Sequence, residues 1–477
     1  MKKLIVFVII VLLAIIGYYY RDSLMSRFEK DTLTIVTSTG ATDISPYALN
    51  LNNATRIRNV YEGLVAFDRS LRIVPALAIS WGYLSDTTWE FRLRGGVLFH
   101  DGSALTAQDV VDVYQRAKAS GNTQIATYIS TIKDMKVTAE NRIVIETYSP
   151  DPLLLSKLTK LYIYKDNNIG TGPYMIDEWI RGETFDLSAF PDYWGQQPAY
   201  DKVRFRVIPE RTERQRAFAN GEIDILVGLT EEQAMELPED QIVTIYGLEV
   251  NFLMFRLDDP LFKDINVRKA LQGMVDPAKI EEIGNHFVRH SNQFLAPGVF
   301  GFNQDISVSE YDPANEPRDL FGNRLERVNL DHLASYNTLV QYLVAQLEQA
   351  GFSVRENTVT PDELLDKIGK NESQLFLVGW QAEDGDAGGF YDAFIHSGGP
   401  FNNGRYKNDY VDKLIEASRT EMVSQKRLSL LKEINARVAA DYIGIPLYET
   451  SRIYGLKEGI KWKPRLDGLV LAAEVRD

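Results

Sequence analysis

Three carboxylates, Glu383, Asp384 and Asp386, follow closely on the apolar run Leu375–Val378 and the pair Gly379-Trp380. Carboxylates this close repel one another, and a bound cation relieves that repulsion. An ammonium held by one of them in a site screened from water gains on the order of 1.5–3 kcal/mol per charge-assisted hydrogen bond. Gly385, Gly388, Gly389 and Gly398 leave the backbone around them exposed and bendable. Trp380 offers an aromatic face for stacking, or a core contact instead. Further on, Asn403 and Arg405 add a side-chain amide and a guanidinium able to grip a carboxylate through two parallel bonds. The alternative reading of the acids is a solvated turn whose aspartates cap backbone amides, and Asn402-Asn403-Gly404 is first a turn signal.

Other chemistries find little support. Cysteine is absent, which excludes disulfides, thiolate metal sites and a cysteine nucleophile. His286 and His290 stand four apart, a metal-ligand spacing if helical. Phe287 replaces the glutamate of the H-E-x-x-H motif, so surface histidines are expected. His100, His332 and His396 complete the set, and neither a nucleophile elbow nor a phosphate-binding loop is present. No catalytic residue, metal or cofactor is expected.

The elements that must position the acids are legible around them. Arg327–Leu330, Phe352–Glu356 and Gln374–Trp380 read as strands. Between them lie a helix over Ser335–Ala350, stopped by Gly351, and one entered through Thr360-Pro361-Asp362-Glu363, a cap with proline at the first helical position. A β-α-β-α-β order demands parallel strands with right-handed crossovers. The carboxyl ends of the strands then share one edge, where open α/β sheets present groups to ligands, and Glu383 leaves from it. Helices are expected near Asp409–Arg419 and Gln425–Ala440. Earlier strands are expected at Thr32–Thr37, Trp89–Arg94, Asn141–Thr147, Val203–Ile208, Ile223–Val227 and Asn251–Arg256.

The chain has 477 residues, 45% of them hydrophobic and 25% charged, enough for more than one folded unit. A net charge of -14 disfavours nucleic acid and anionic membrane surfaces as partners. At the N-terminus, Lys2 and Lys3 precede the uncharged apolar run Leu4–Tyr20 and Arg21. Without an A-x-A-like cleavage site, this reads as an uncleaved signal anchor rather than a cleaved signal. It would hold the chain in a membrane with the bulk outside the cytoplasm.

Several blocks carry a resemblance. They are Asn59–Leu64 (NVYEGL), Leu71–Trp81, Trp89–Val111, Gly170–Tyr174 (GTGPY), Pro191–Gly195 (PDYWG), Val203–Pro209, Gly221–Ile225, Val267–Leu271, the Gly379-Trp380 loop and Ile445–Tyr448. In this order the chain resembles the family 5 extracellular solute-binding proteins, the peptide- and nickel-binding subunits of ABC importers. The resemblance implies an α/β, periplasmic-binding-protein-like fold of two lobes (type II), here preceded by one N-terminal transmembrane helix. The expected division is 1–30 for anchor and linker, 31–256 for lobe 1 with an inserted subdomain at about 60–165, 257–448 for lobe 2, and 449–477 returning to lobe 1.

In the family's peptide binders an acidic residue shortly after the glycine-tryptophan pair holds the α-amino group. Glu383 stands there, where aspartate is usual, and Asp386 matches a second acidic position. The family's following proline is Ala387, succeeded by Gly388 and Gly389; the lipobox cysteine is missing, and the stretch between Tyr148 and Gly170 is short. The resemblance implies a monomeric binding protein, not an enzyme, that captures short peptides or similar amine-bearing solutes and passes them to an ABC permease. Glu383, Asp384, Asp386, Trp380, Asn403 and Arg405 would line its site. A receptor or scaffold on the same fold is one alternative; a surface hydrolase using carboxylates such as Glu383 and Asp386 is the other.

Overall fold

Two long antiparallel strands, Ile242–Phe255 and Gly444–Leu456, organise the molecule. The computed structural model describes residues 32–476 except 167, 286, 307–310, 312–320, 322–324 and 371. At one end, Gly444–Leu456 pairs with Ile225–Val227, which leads to Thr32–Thr37, Lys202–Val207, Thr184–Ala189 and Tyr174–Ile180. At the other end, Ile242–Phe255 pairs with Leu375–Gln381, followed by Glu326–His332 and Phe352–Thr358. The register of the long pair breaks between Tyr246 and Val250. An irregularity of that kind bends and twists a strand pair, here where it passes from one half of the sheet to the other. The result is a mixed α/β fold of two lobes joined through two strands.

The strand Leu375–Gln381 opens with Leu375, Phe376 and Leu377 buried on both faces, as an interior strand requires. It runs parallel to Glu326–His332, and Glu326–His332 runs parallel to Phe352–Thr358. The crossover helices are Asn337–Gln349 and Pro361–Lys370. Thr360 caps the second: its amide and hydroxyl donate to Glu363 Oε2 at 2.8 and 3.0 Å, and Glu363 N donates back at 3.3 Å. The helix expected from Ser335 begins at Asn337 instead, after a short 3-10 turn over Ala334–Tyr336.

A separate four-stranded sheet, ordered Ala78–Ser85, Thr88–Leu93, Arg142–Thr147, Ile132–Ala139, packs against the helix Ala107–Ala119. Alternation in Thr88–Leu93 buries Trp89, Phe91 and Leu93 and exposes Arg92. Glu62 ties three of the distant sequence blocks together. It accepts hydrogen bonds from Thr171 Oγ1 at 2.8 Å, Tyr193 Oη at 3.0 Å and Trp194 Nε1 at 2.9 Å. Gly170 is required beside it, because an added Cβ would lie 2.1 Å from Val60 O.

Three expectations change. The strand expected at Asn251–Arg256 is the end of the long strand Ile242–Phe255, and the block Ile445–Tyr448 lies near the start of the other. Sequence alternation fails around Tyr246-Gly247 and Thr450-Ser451-Arg452, where the register of the two strands breaks beyond the Tyr246–Ser451 pair. His290 lies in the strand Val288–His290, so helical spacing does not apply to it; His286 lies outside the described residues. The single-pass membrane placement is also corrected. Among the described residues no helix is long and apolar enough to cross a membrane. The longest, Ser424–Ala440, has 17 residues and carries charges along its length. The segment Met1–Tyr20, on which that placement and the anchor rested, lies outside the described residues.

Candidate ligand-binding cleft

The acids occupy a tight turn fixed at both ends. Ala382 N donates to Leu248 O at 3.2 Å, Gly385 N to Ala382 O at 3.0 Å, and Ala387 N to Phe300 O at 3.0 Å. Phe300 N in turn donates to Gly385 O at 2.7 Å. Gly385 has φ +70°, and a Cβ there would approach Leu71 Cδ1 of the other lobe to 3.2 Å. The turn therefore lies against the opposite lobe, and a glycine permits the approach.

The three acids have different surroundings. Glu383 is exposed, and its carboxylate makes no hydrogen bond among the described residues. Asp384 is half-buried. Burial pushes its carboxyl up to about 6, with the neighbouring Asp386 charge adding to the rise and Lys160 opposing it. Asp386 is 6% exposed and internally satisfied. It accepts from Arg427 Nη1 at 2.5 Å and Nη2 at 2.8 Å, and from Gly388 N at 2.8 Å. Arg427, from the helix Ser424–Ala440, also donates to Ser418 O at 3.0 Å and lies over the Phe300 ring. Asp386 as a ligand-contacting residue is thus corrected: its two oxygens are committed to a buried fork-to-fork ion pair that builds the turn.

Asn403 and Arg405 are corrected too. Gly404, between them, accepts from Leu257 N at 2.7 Å and sits against Phe255 O. Phe255 pairs with Leu375, the start of the strand whose end, Gln381, precedes the acids. Six strand steps of about 3.4 Å separate the two places by about 20 Å. Asn403 is buried, Arg405 is exposed at φ +52°, and Asn402 holds the turn through Tyr406 N and O at 3.0 and 2.7 Å. Closeness in sequence misled here, because the chain from Gly388 onward runs back along the lobe. Trp380 is partly buried, packed against Phe390 and Phe394 at 6.2 and 5.3 Å between ring centres, with its Nε1 buried and unpartnered among the described residues.

Opposite the turn, lobe 1 presents groups that sequence reasoning missed. The charges of Glu383 and Asp384 reach Tyr128, whose hydroxyl is pushed up to about 12, chiefly by burial. They also reach Lys160, which is half-buried and has no side-chain partner among the described residues. Burial and the nearby Arg58 push the Lys160 ammonium down, and Glu383, Asp467 and Asp384 oppose that shift. Arg58 stands 3.9 Å from Asp467, and the Tyr162 hydroxyl is buried with no partner among the described residues. These residues come from four separate segments, so no local pattern announced them; the one hint was the shortened stretch between Tyr148 and Gly170. The arrangement places an exposed carboxylate and a half-buried one across from an unpaired ammonium, with tyrosines beside it. Such a site can meet a small solute carrying both signs of charge.

Residues 72–402, well over half of the chain, match the bacterial extracellular solute-binding proteins, family 5. The chain belongs to this family. It is 22% identical over 432 residues to the dipeptide-binding protein of Escherichia coli (strain K12), covering 78% of this chain and 80% of that one. Heme-binding protein A of Haemophilus influenzae is 24% identical over 445 residues, covering 82% and 81%. Among solved structures, the ABC transporter-associated periplasmic binding protein DppA of Helicobacter pylori, in complex with a peptide, superposes with a TM-score of 0.71 at 23% identity, covering 93% and 97%. Members of the family are solute-binding proteins, so the chain is a binding protein and not an enzyme. The family is described as extracellular, which leaves the single-pass membrane placement without support.

Proposed function

We propose that this protein captures short peptides, or similar amine-bearing solutes, between its lobes and delivers them to an ABC permease. The observation that carries the reading is the free Glu383 carboxylate, exposed at the carboxyl edge of lobe 2's parallel strands and facing Lys160 and Tyr128 of the other lobe. Glu383 anchors the guest's ammonium and Asp384 adds its charge, while Trp380 forms the floor of the turn. Asp386 acts by holding the turn through Arg427. Lys160 is placed to meet a carboxylate or carbonyl of the same guest. Closure then follows from contacts the guest makes with both lobes at once. On this reading the protein works as a monomer of the periplasmic type II kind. Its lobe 1 spans 31–256 with an inserted subdomain at about 60–165, lobe 2 spans 257–448, and 449–477 returns to lobe 1.

The test is a thermal-shift screen of short peptides in paired forms, with free and acetylated amino termini. A rise in Tm with the free amine, lost on acetylation, supports the reading. If no peptide or amine raises Tm, peptide capture fails.

A further inference from the structure

Arg56 is 1% exposed on the helix Leu51–Ile57. Its Nη1 donates to Asn52 O at 2.6 Å, and its Nη2 to Thr37 Oγ1 at 2.9 Å and Thr39 O at 3.4 Å. The guanidinium lies 5.3 Å from the centre of the Phe205 ring. All of these partners are neutral, and among the described residues Arg56 makes no ion pair. Burial lowers its ionisation to about 10, and no acid opposes the shift. Buried Arg214 and Arg268 likewise bond backbone carbonyls, but Arg56 differs in lining a cavity.

Arg452 belongs to the long strand Gly444–Leu456 and lies against Gly468. Its Nη2 donates to Gln381 Oε1 at 3.0 Å, its Nε is buried without an acceptor, and it too makes no ion pair among the described residues. The two arginines line one cavity of about 230 Å³ together with Thr37, Gly228 and Ser451. Leu51 and Asn52 at its rim are exposed, which gives a way in from solvent. Thr32–Thr37 and Ile225–Val227 run parallel, and the cavity opens beyond their carboxyl ends, the usual place for a ligand in an open α/β sheet.

We propose that this cavity is a second binding site, specific for a small oxyanion held between Arg56 and Arg452. Guanidinium groups suit oxyanions because their planar donors match the paired oxygens of phosphate, sulfate or a carboxylate. The bound anion supplies the charge that both arginines lack. None of the acid-turn residues lines this cavity, so the proposal stands apart from peptide capture. The anion bridges the helix Leu51–Ile57 of lobe 1 and a strand that passes between the lobes, and so ties the hinge.

Thermal-shift and calorimetric titrations of the full chain with inorganic phosphate, sulfate and acetate, against chloride at equal ionic strength, test it. The expected result is a saturable rise in Tm with an oxyanion and none with chloride. Arg452→Gln weakens the apparent affinity at least tenfold. A phosphate or sulfate response supports the site; a response confined to acetate and to peptides with a free, unamidated carboxyl makes the cavity part of the solute cleft and overturns a separate site. Absence of any oxyanion-specific shift overturns the proposal, as does an undiminished response in Arg452→Gln. Arg56→Gln adds a second test where circular dichroism shows that it folds; Arg452, half-buried, decides if it does not.

Discussion

The two walls of the candidate cleft are built in opposite ways. The lobe 2 wall is a single turn of neighbouring residues, Ala382–Ala387, in which one carboxylate, Asp386, is given up to Arg427 so that another, Glu383, stands free. The lobe 1 wall takes Arg58, Tyr128, Lys160 and Tyr162 from three distant segments, and its ammonium has no side-chain partner among the described residues. The difference teaches that residues of one charge type, three positions apart, can have unlike tasks. The buried, paired acid shapes the site, and the exposed, unpaired acid is available to a guest.

The sharpest way to break this contrast is at Arg427. Arg427→Met leaves Asp386 buried and uncompensated, and unfolding in denaturant is expected to show a loss of about 3–5 kcal/mol. Adding Asp386→Asn recovers part of that loss, and a double-mutant cycle measures the coupling. If the single variant is as stable as the parent, the assigned division of labour is wrong. Next comes Glu383→Ala, which is expected to move stability by no more than about 0.5 kcal/mol. It should also weaken amine-bearing peptides by roughly 10- to 100-fold, the equivalent of about 1.5–3 kcal/mol in calorimetry. Unchanged affinity would reject its role as anchor.

A pH series sharpens the comparison further. Burial raises Asp384 from 3.8 to about 6 and Glu62 from 4.5 to about 7. In both, the native state keeps its proton when the unfolded chain has lost it. Their stabilising contribution is therefore complete below about pH 4 and declines as pH rises through 6 to 7. Tm should fall across that window, and Asp384→Asn and Glu62→Gln should each flatten part of the slope. The smallest expected effect is that of Lys160→Met. Lys160 lowers the Asp384 ionisation, so its removal raises it further, as carboxyl NMR titration would detect. No movement would mean that the two walls do not sense each other.

Much of the second lobe was legible. Thr360 with Glu363, the apolar face of Asn337–Gln349 and the run Leu375–Leu377 are local signals whose physics lies within one or two turns of chain. The long strand Ile242–Phe255 was read only from Asn251 onward, because alternation is interrupted at Gly247, where the register with its partner strand breaks. Asn403 and Arg405 were misassigned, since twenty residues of sequence say nothing about which end of a strand the chain revisits.

The sequence by itself determined the family, the parallel order of lobe 2 and the emergence of the acids at its carboxyl edge, since periodicity, caps and ordered motifs are short-range properties. Only the tertiary structure decided which acid is free. That depends on Arg427 arriving from a helix more than one element away, and on Lys160 and Tyr128 arriving from the other lobe. Burial and charge pairing are properties of neighbours in space, and a chain reading in order cannot enumerate them.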